Sequence, residues 1–127
     1  MTATARILYV EDNFENRLLI KRVLEAEGYT VIEAENGRTG LSKALSDRPD
    51  LILMDINLPD IDGYEVTGRL RQSDAIGSKV PIIALTANAL AGDRQKALSA
   101  GCDGYIPKPI DIDALPRQIN AFLQRRP

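Results

Sequence analysis

The chain has 127 residues, a length that fits one domain and leaves little room for a second. Its 16 basic and 18 acidic side chains give a formal net charge of −2, which argues against a nucleic-acid binder. One cysteine excludes an internal disulfide, and the lack of histidine excludes a Ser-His-Asp triad and a phosphohistidine. No stretch reaches the ~18 apolar residues of a membrane span, and no signal peptide is evident, so we expect a soluble cytoplasmic protein.

Short apolar runs alternate with amphipathic segments along the chain. The runs predict strands at 7–10, 30–35, 51–54, 80–85 and 104–106. The segments between them predict helices from 13 to about 28, from 36 to just before Pro49, at 63–71, at 91–100 and from near 113 to about 125. Pro116 then lies in the first turn of the last helix, since an interior proline would break a helical hydrogen bond.

This alternation predicts an α/β fold, a doubly wound parallel sheet with helices on both faces. The strands at 51–54 and 80–85 are continuously apolar, as expected for strands that are buried on both sides. The strand at 30–35 is more mixed and should lie nearer an edge. We expect one domain over 1–127, with its core at about 5–125 and no output domain.

Polar side chains end four of the predicted strands: Glu11 and Asp12, Asp55, Thr86 and Lys108. The carboxyl ends of parallel strands share one edge of the sheet, so these side chains should meet there. Three close carboxylates need a cation, and oxygen ligands without histidine favour Mg²⁺. A metal, a lysine and a hydroxyl suit a transferring phosphoryl group, and Asp55 can act as its covalent acceptor. A single polar strand end means little, so the hypothesis depends on the whole set.

The same residues stand within longer motifs that resemble the receiver domain of two-component response regulators. The resemblance covers nearly the whole chain. Its motifs are the acidic pair 11–12, LILMDINLP at 51–59, Asp62-Gly63, PIIALTA at 81–87 and GYIPKP at 104–109. It implies a five-stranded sheet in the order 2-1-3-4-5. The acidic pair is Glu-Asp rather than the more common Asp-Asp.

The resemblance also implies a role for each matching residue. Asp55 would be the phosphoacceptor, and Thr86 and Lys108 would hold the phosphoryl oxygens. The Mg²⁺ ion, which Mn²⁺ can replace, would be bound by Asp12, Asp55, the backbone carbonyl of Asn57 and, through water, Glu11. Thr86 and Tyr105 would form the conformational switch, and the Lys108–Pro109 peptide bond would be cis.

The implied phosphodonor is a phosphohistidine on a sensor histidine kinase or a histidine phosphotransfer protein. Output would be a contact with a downstream protein, or onward transfer in a phosphorelay, with neither nucleic acid nor membrane insertion involved. On the first helix, residues 19, 20, 23 and 24 form an apolar stripe that should pack on the sheet. Phe14 and Leu18 point nearly opposite, and we expect them to contact the donor, with Arg17 and Lys21 alongside.

Three other interpretations remain open. A haloacid dehalogenase-type aspartyl-phosphate phosphatase would need a second aspartate two residues after the nucleophile, where this chain has Asn57. A flavodoxin-like binding module would carry a loop rich in Ser, Thr and Gly after the first strand, where this chain has Glu11 and Asp12. A degenerate receiver that never takes phosphate is disfavoured by the complete set of site residues.

Overall fold

Five parallel strands form one sheet in the computed structural model, which describes residues 4–74, 76–77, 79–87 and 92–125. The strands are β1 (Arg6–Val10), β2 (Thr30–Ala34), β3 (Leu51–Asp55), β4 (Ile82–Thr86) and β5 (Gly104–Pro107). The helices are α1 (Phe14–Ala26), α2 (Gly37–Asp47), α3 (Gly63–Arg71), α4 (Asp93–Ala100) and α5 (Leu115–Arg125). The strand order β2-β1-β3-β4-β5 confirms the predicted topology. No described helix is long and apolar enough to cross a membrane.

Strand burial follows the predicted positions in the sheet. Every residue of β3 and β4 is buried, whereas the edge strand β2 buries only Ala34. Side chains in successive positions point to opposite faces, so the core has two halves. Leu8, Val10, Ile52 and Met54 pack on one face with α2 and α3 residues such as Ala44 and Leu70. Ile7, Tyr9, Leu51 and Leu53 pack on the other with Ile20, Leu24 and Ile119 of α1 and α5.

Side-chain caps fix where three of the described helices begin, and at α3 the cap is Asp62, which accepts from the N–H of Tyr64. Asn13 accepts a hydrogen bond from the N–H of Asn16 at the start of α1, and Asn36 accepts one from Thr39 at the start of α2. The last helix begins at Leu115, slightly later than predicted. Asp111 holds the preceding turn by accepting from the N–H groups of Asp113 and Ala114, which delays the regular helix.

Pro116 is therefore the second residue of α5, where its missing N–H breaks no helical hydrogen bond. The predicted start of the fourth helix at Ala91 lies outside the described residues, and the described helix begins at Asp93.

The apolar stripe of α1 is narrower than the sequence predicts. Ile20 and Leu24, one turn apart, are buried against the sheet, and Val23 is half-buried. Leu19 remains 47% exposed, so its prediction as a core residue is wrong. It precedes Ile20 by one residue, which turns it by about 100° around the helix and leaves it at the side of the packed face.

Candidate functional site

Three carboxylates meet at the carboxyl ends of β1 and β3. Glu11 and Asp12 follow β1, and Asp55 is the last residue of β3. One carboxylate oxygen from each lies within 4.8 Å of the others. Glu11 and Asp55 are each only 1% exposed, while Asp12 faces solvent. The parallel sheet thus brings together carboxylates that stand far apart in sequence.

Lys108 lies at the same edge and pairs with two of these carboxylates. Its Nζ is 2.8 Å from Oε1 of Glu11 and 3.2 Å from Oδ2 of Asp55. Burial disfavours the charged ammonium, but the hydrogen bond to Glu11 and the negative charges of Asp55 and Glu11 outweigh burial and raise the pKa of Lys108. Its backbone N–H donates to the carbonyl of Thr86, and the bond to Pro109 is cis. The ammonium of Lys108 is therefore held between the carboxylates of Glu11 and Asp55.

The donor set fits a divalent cation. Three carboxylates face a single ammonium, and within the described ranges Asp12 forms neither a hydrogen bond nor an ion pair. Ligand oxygens on one Mg²⁺ lie at about 2.1 Å from it, hence at most roughly 4.2 Å apart. Carboxylate oxygens that lie within 4.8 Å of one another are thus close to the spacing that one cation requires. Asn57 adjoins the cluster, since its N–H donates to Oδ1 of Asp55 at 3.0 Å.

The Glu11 carboxylate is held by three donors. Oε1 accepts from Lys108 and from the hydroxyl of Tyr9 at 3.3 Å, and Oε2 accepts from the N–H of Asn13 at 3.2 Å. Burial and the charge of Glu11 raise the pKa of Tyr9 far above its usual value, so the phenol keeps its proton and donates it. Sequence reasoning missed Tyr9, although its position two residues before Glu11 on a strand places both on one face.

Thr86 and Tyr105 lie on neighbouring strands and on the same face of the sheet. Thr86 ends β4 and is 3% exposed, and Tyr105 on β5 pairs with Ala84. Because Ala84 and Thr86 are two residues apart on one strand, all three side chains point to the same side. Tyr105 is half-buried and lines a cleft of about 290 Å³ with Leu98 and other α4 and α5 residues.

The residues predicted to contact the donor differ in exposure. Phe14 is 64% exposed and its ring centre lies 5.8 Å from the guanidinium carbon of Arg17, while Leu18 is half-buried. Arg17 donates to the carbonyl of Glu11, and both Arg17 and Lys21 pair with Glu33 on β2. The two basic side chains thus already have acidic or carbonyl partners within the chain.

A second surface of α1 lies nearer to Lys108. Asn16 and the exposed Leu19 line a groove of about 370 Å³ together with Lys108, Pro109 and Ile110. Tyr9 forms part of its floor. The groove therefore places apolar side chains beside the charged cluster.

Comparisons with known proteins agree with this geometry. The family profile of the response regulator receiver domain matches residues 7–120. The polar-differentiation response regulator DivK of Brucella anthropi is 42% identical over 92% of this chain and 94% of its own. The receiver domain of sensor histidine kinase PA1611 from Pseudomonas aeruginosa, solved with a magnesium ion in its active-site cleft, is 42% identical. Its TM-score is 0.87, with 96% of this chain and 99% of that chain covered. The chemotaxis protein CheY4 of Vibrio cholerae is 29% identical, with a TM-score of 0.88 over 94% and 98% of the two chains.

Proposed function

The chain belongs to the response regulator receiver family, and on that basis we propose that Asp55 accepts a phosphoryl group from a phosphohistidine. The supporting observation is the position of Asp55 at the end of β3, within the carboxylate cluster and 3.2 Å from Lys108. A receiver domain implies a histidine kinase as the source of the phosphoryl group. The donor is then either that kinase or a histidine phosphotransfer protein.

The proposed reaction is a direct transfer between two side chains. One oxygen of Asp55 attacks phosphorus, a P–O bond forms, and the P–N bond to the donor histidine breaks with its electron pair left on nitrogen. Lys108 gives up its ion pair with the unphosphorylated Asp55 carboxylate and binds a phosphoryl oxygen instead. The hydroxyl of Thr86 donates to another. No proton has to leave Asp55, because the attacking group is an ionised carboxylate.

The carboxylate cluster is proposed to hold Mg²⁺, with Mn²⁺ as a substitute. Asp12, Asp55 and the backbone carbonyl of Asn57 would be the protein ligands, and Glu11 would bind through water. The cation offsets the negative charge that gathers when a phosphoryl group approaches three carboxylates. The magnesium in the cleft of the similar Pseudomonas receiver supports this proposal.

The output is proposed to be a protein contact or onward transfer to a further histidine in a phosphorelay. Support comes from the similarity to DivK, which is named as a polar-differentiation response regulator and spans almost the same length. Thr86 and Tyr105 would carry the change in conformation to the surface, since they lie on one face of neighbouring strands. Phe14 and Leu18 would contact the phosphodonor.

The test is incubation with acetyl phosphate and Mg²⁺, followed by intact mass. The protein should gain one phosphoryl group, and the gain should disappear in Asp55→Asn and after removal of the metal with EDTA. Asp74→Asn is the matched control, because Asp74 is an exposed aspartate with no ion pair to a described residue. Undiminished phosphorylation of Asp55→Asn would overturn the assignment.

A further inference from the structure

Tyr9 is a fully buried residue of β1 whose hydroxyl reaches the charged cluster. Its ring packs in the half of the core that includes Ile20 and Leu24, and the residue is 0% exposed. Its hydroxyl oxygen is 3.3 Å from Oε1 of Glu11. Within the described residues this is the one hydrogen bond that the hydroxyl makes. The ring is therefore part of the core, whereas the hydroxyl belongs to the site.

The hydroxyl needs an explanation because a phenylalanine would fill the same core position without a polar atom. A buried hydroxyl without a partner is costly, so its presence depends on the Glu11 carboxylate. Conversely, Glu11 is a buried carboxylate that needs donors on every side. Lys108 and Asn13 supply two of them, from just after β5 and from the loop after β1, and Tyr9 supplies the third from inside the core.

These three donors differ in how firmly they are tied to the Glu11 carboxylate. Lys108 also pairs with Asp55, and in the proposed reaction it moves to the phosphoryl group. Asn13 is the capping residue of α1 and orients Oε2 alone. Tyr9 is fixed by its packing, so it would stay against Oε1 in the proposed reaction when Lys108 moves away. It is thus the donor that can keep the carboxylate in one orientation throughout the cycle.

We propose that the hydroxyl of Tyr9 is a positioning group, which holds the Glu11 carboxylate towards Asp12 and Asp55 and thereby sets the affinity of the cluster for a divalent cation. The inference rests on the proposed function, since it takes the cluster to be occupied by a cation. Partners that orient metal-binding side chains typically change metal affinity by about 10-fold to 100-fold when they are removed. A smaller effect of about threefold to tenfold is expected here, because Glu11 would act through water.

The test is Tyr9→Phe, which removes the hydroxyl and leaves the ring. Binding of Mn²⁺ is measured on the unphosphorylated protein from the electron paramagnetic resonance signal of the free ion, and Mg²⁺ by competition. The dissociation constants of both ions should rise about threefold to tenfold. In phosphorylation by acetyl phosphate, the Mg²⁺ concentration for half-maximal rate should rise by the same factor, with the limiting rate unchanged.

Tyr29→Phe is the matched control. Tyr29 contributes to the same half of the core but comes just before β2, at the end of the sheet away from the carboxylates, so its hydroxyl should not affect cation binding. A fall in melting temperature of Tyr9→Phe with unchanged dissociation constants would mean that the hydroxyl is purely structural, and would overturn the inference.

A double-mutant cycle with Glu11→Gln tests the route of the effect. If Tyr9 acts through the carboxylate, adding Tyr9→Phe to Glu11→Gln should weaken binding no further. Independent, additive losses would contradict the inference while leaving the proposed function intact. If the unmodified protein binds neither ion, the proposed function fails and the inference fails with it.

Discussion

The ammonium of Lys108 lies 2.8 Å from Oε1 of Glu11, although 97 residues separate the two along the chain. The same ammonium contacts Asp55, so one side chain joins the ends of β1, β3 and β5. Two carboxylates that are almost fully buried thus share one positive charge.

Replacing Lys108 by methionine should destabilise the metal-free protein. The change leaves Glu11 and Asp55 without their counter-charge, and the loss should be about 2 kcal/mol, below that of a fully buried pair because Lys108 is partly exposed. Urea unfolding followed by circular dichroism measures it. Mg²⁺ should restore part of the loss. Lys79→Met, at an exposed lysine, should change little. Equal stability of Lys108→Met and the unmodified protein would contradict this prediction.

Two glycines of α3 should respond to alanine in opposite ways. A Cβ at Gly63 would collide with the carbonyl of Asp55 and lie 2.8 Å from Cα of Ile56, so Gly63→Ala should destabilise the fold by about 2 kcal/mol. Gly68 has nothing within 4 Å of its Cβ position, and Gly68→Ala should stabilise the helix by about 1 kcal/mol. Chemical denaturation measures both. Unchanged stability of Gly63→Ala would contradict the predicted collision, and a loss of stability in Gly68→Ala would contradict the predicted gain in helix propensity.

Asp60 should give the protein a pH-dependent stability. Desolvation opposes its charge, but hydrogen bonds from the N–H groups of Arg38 and Gly37, which begin α2, hold the pKa of Asp60 below its usual value. A lowered pKa in the folded state stabilises the protein above the unfolded-state pKa, and this contribution disappears as the pH falls through the lower value.

The variant Asp60→Asn should therefore melt at a lower temperature at pH 7, and the difference from the unmodified protein should shrink in acid. Asp74→Asn makes the same chemical change at an exposed residue without an ion pair to the described chain, and should have no such pH-dependent effect. A constant difference across the whole pH range would rule out the hydrogen-bonded carboxylate as its source.

Phe14→Glu and Leu18→Glu should slow phosphoryl transfer from a phosphohistidine protein by about tenfold or more, the usual loss at a central apolar contact. They should leave transfer from acetyl phosphate nearly unchanged, because that donor is too small to reach the patch. Leu45→Glu changes an exposed leucine of α2 and serves as control. If Leu19→Glu slows transfer from the phosphohistidine protein and the other two variants do not, that protein binds over the groove beside Lys108 and not on Phe14 and Leu18.

Fluoroberyllate, a mimic of the phosphoryl group, should change the nuclear magnetic resonance signals of Thr86 and Tyr105 together. The mimic should draw the Thr86 hydroxyl towards Asp55 and leave space that Tyr105 can fill from its cleft. Such a switch is a shift between states that exist beforehand. Spectra that are identical with and without saturating fluoroberyllate would refute it.

The features most directly predicted from sequence were those set by continuous patterns. β3 ends at Asp55 because an apolar run stops at a charge, and the helix over Gly63–Arg71 matches its predicted bounds. The start of α5 was harder to predict from the sequence, since it depends on a turn held by the Asp111 side chain. The exposure of Leu19 shows how narrow the packed face of α1 is, and the apolar pattern, which includes Leu19, does not specify that width.

The sequence predicts which residues form the site, but not all of the hydrogen bonds that connect them. The order of parallel strands places Asp55 and Lys108 at one edge, so their meeting follows from topology. The hydrogen bond from Tyr9 to Glu11 does not, because an apolar environment and a strand position are enough to explain a tyrosine there. Only the orientation of its ring shows that the hydroxyl is directed to the carboxylate.

The division of the core into two halves has a consequence for how the protein can vary. Substitutions at Leu8 or Ile52 change the packing against α2 and α3. Substitutions at Ile7 or Leu53 change the packing against α1 and α5. Well-separated pairs drawn from the two halves should have nearly additive effects on stability. Repacking of one half should therefore leave the other half and its helices largely undisturbed.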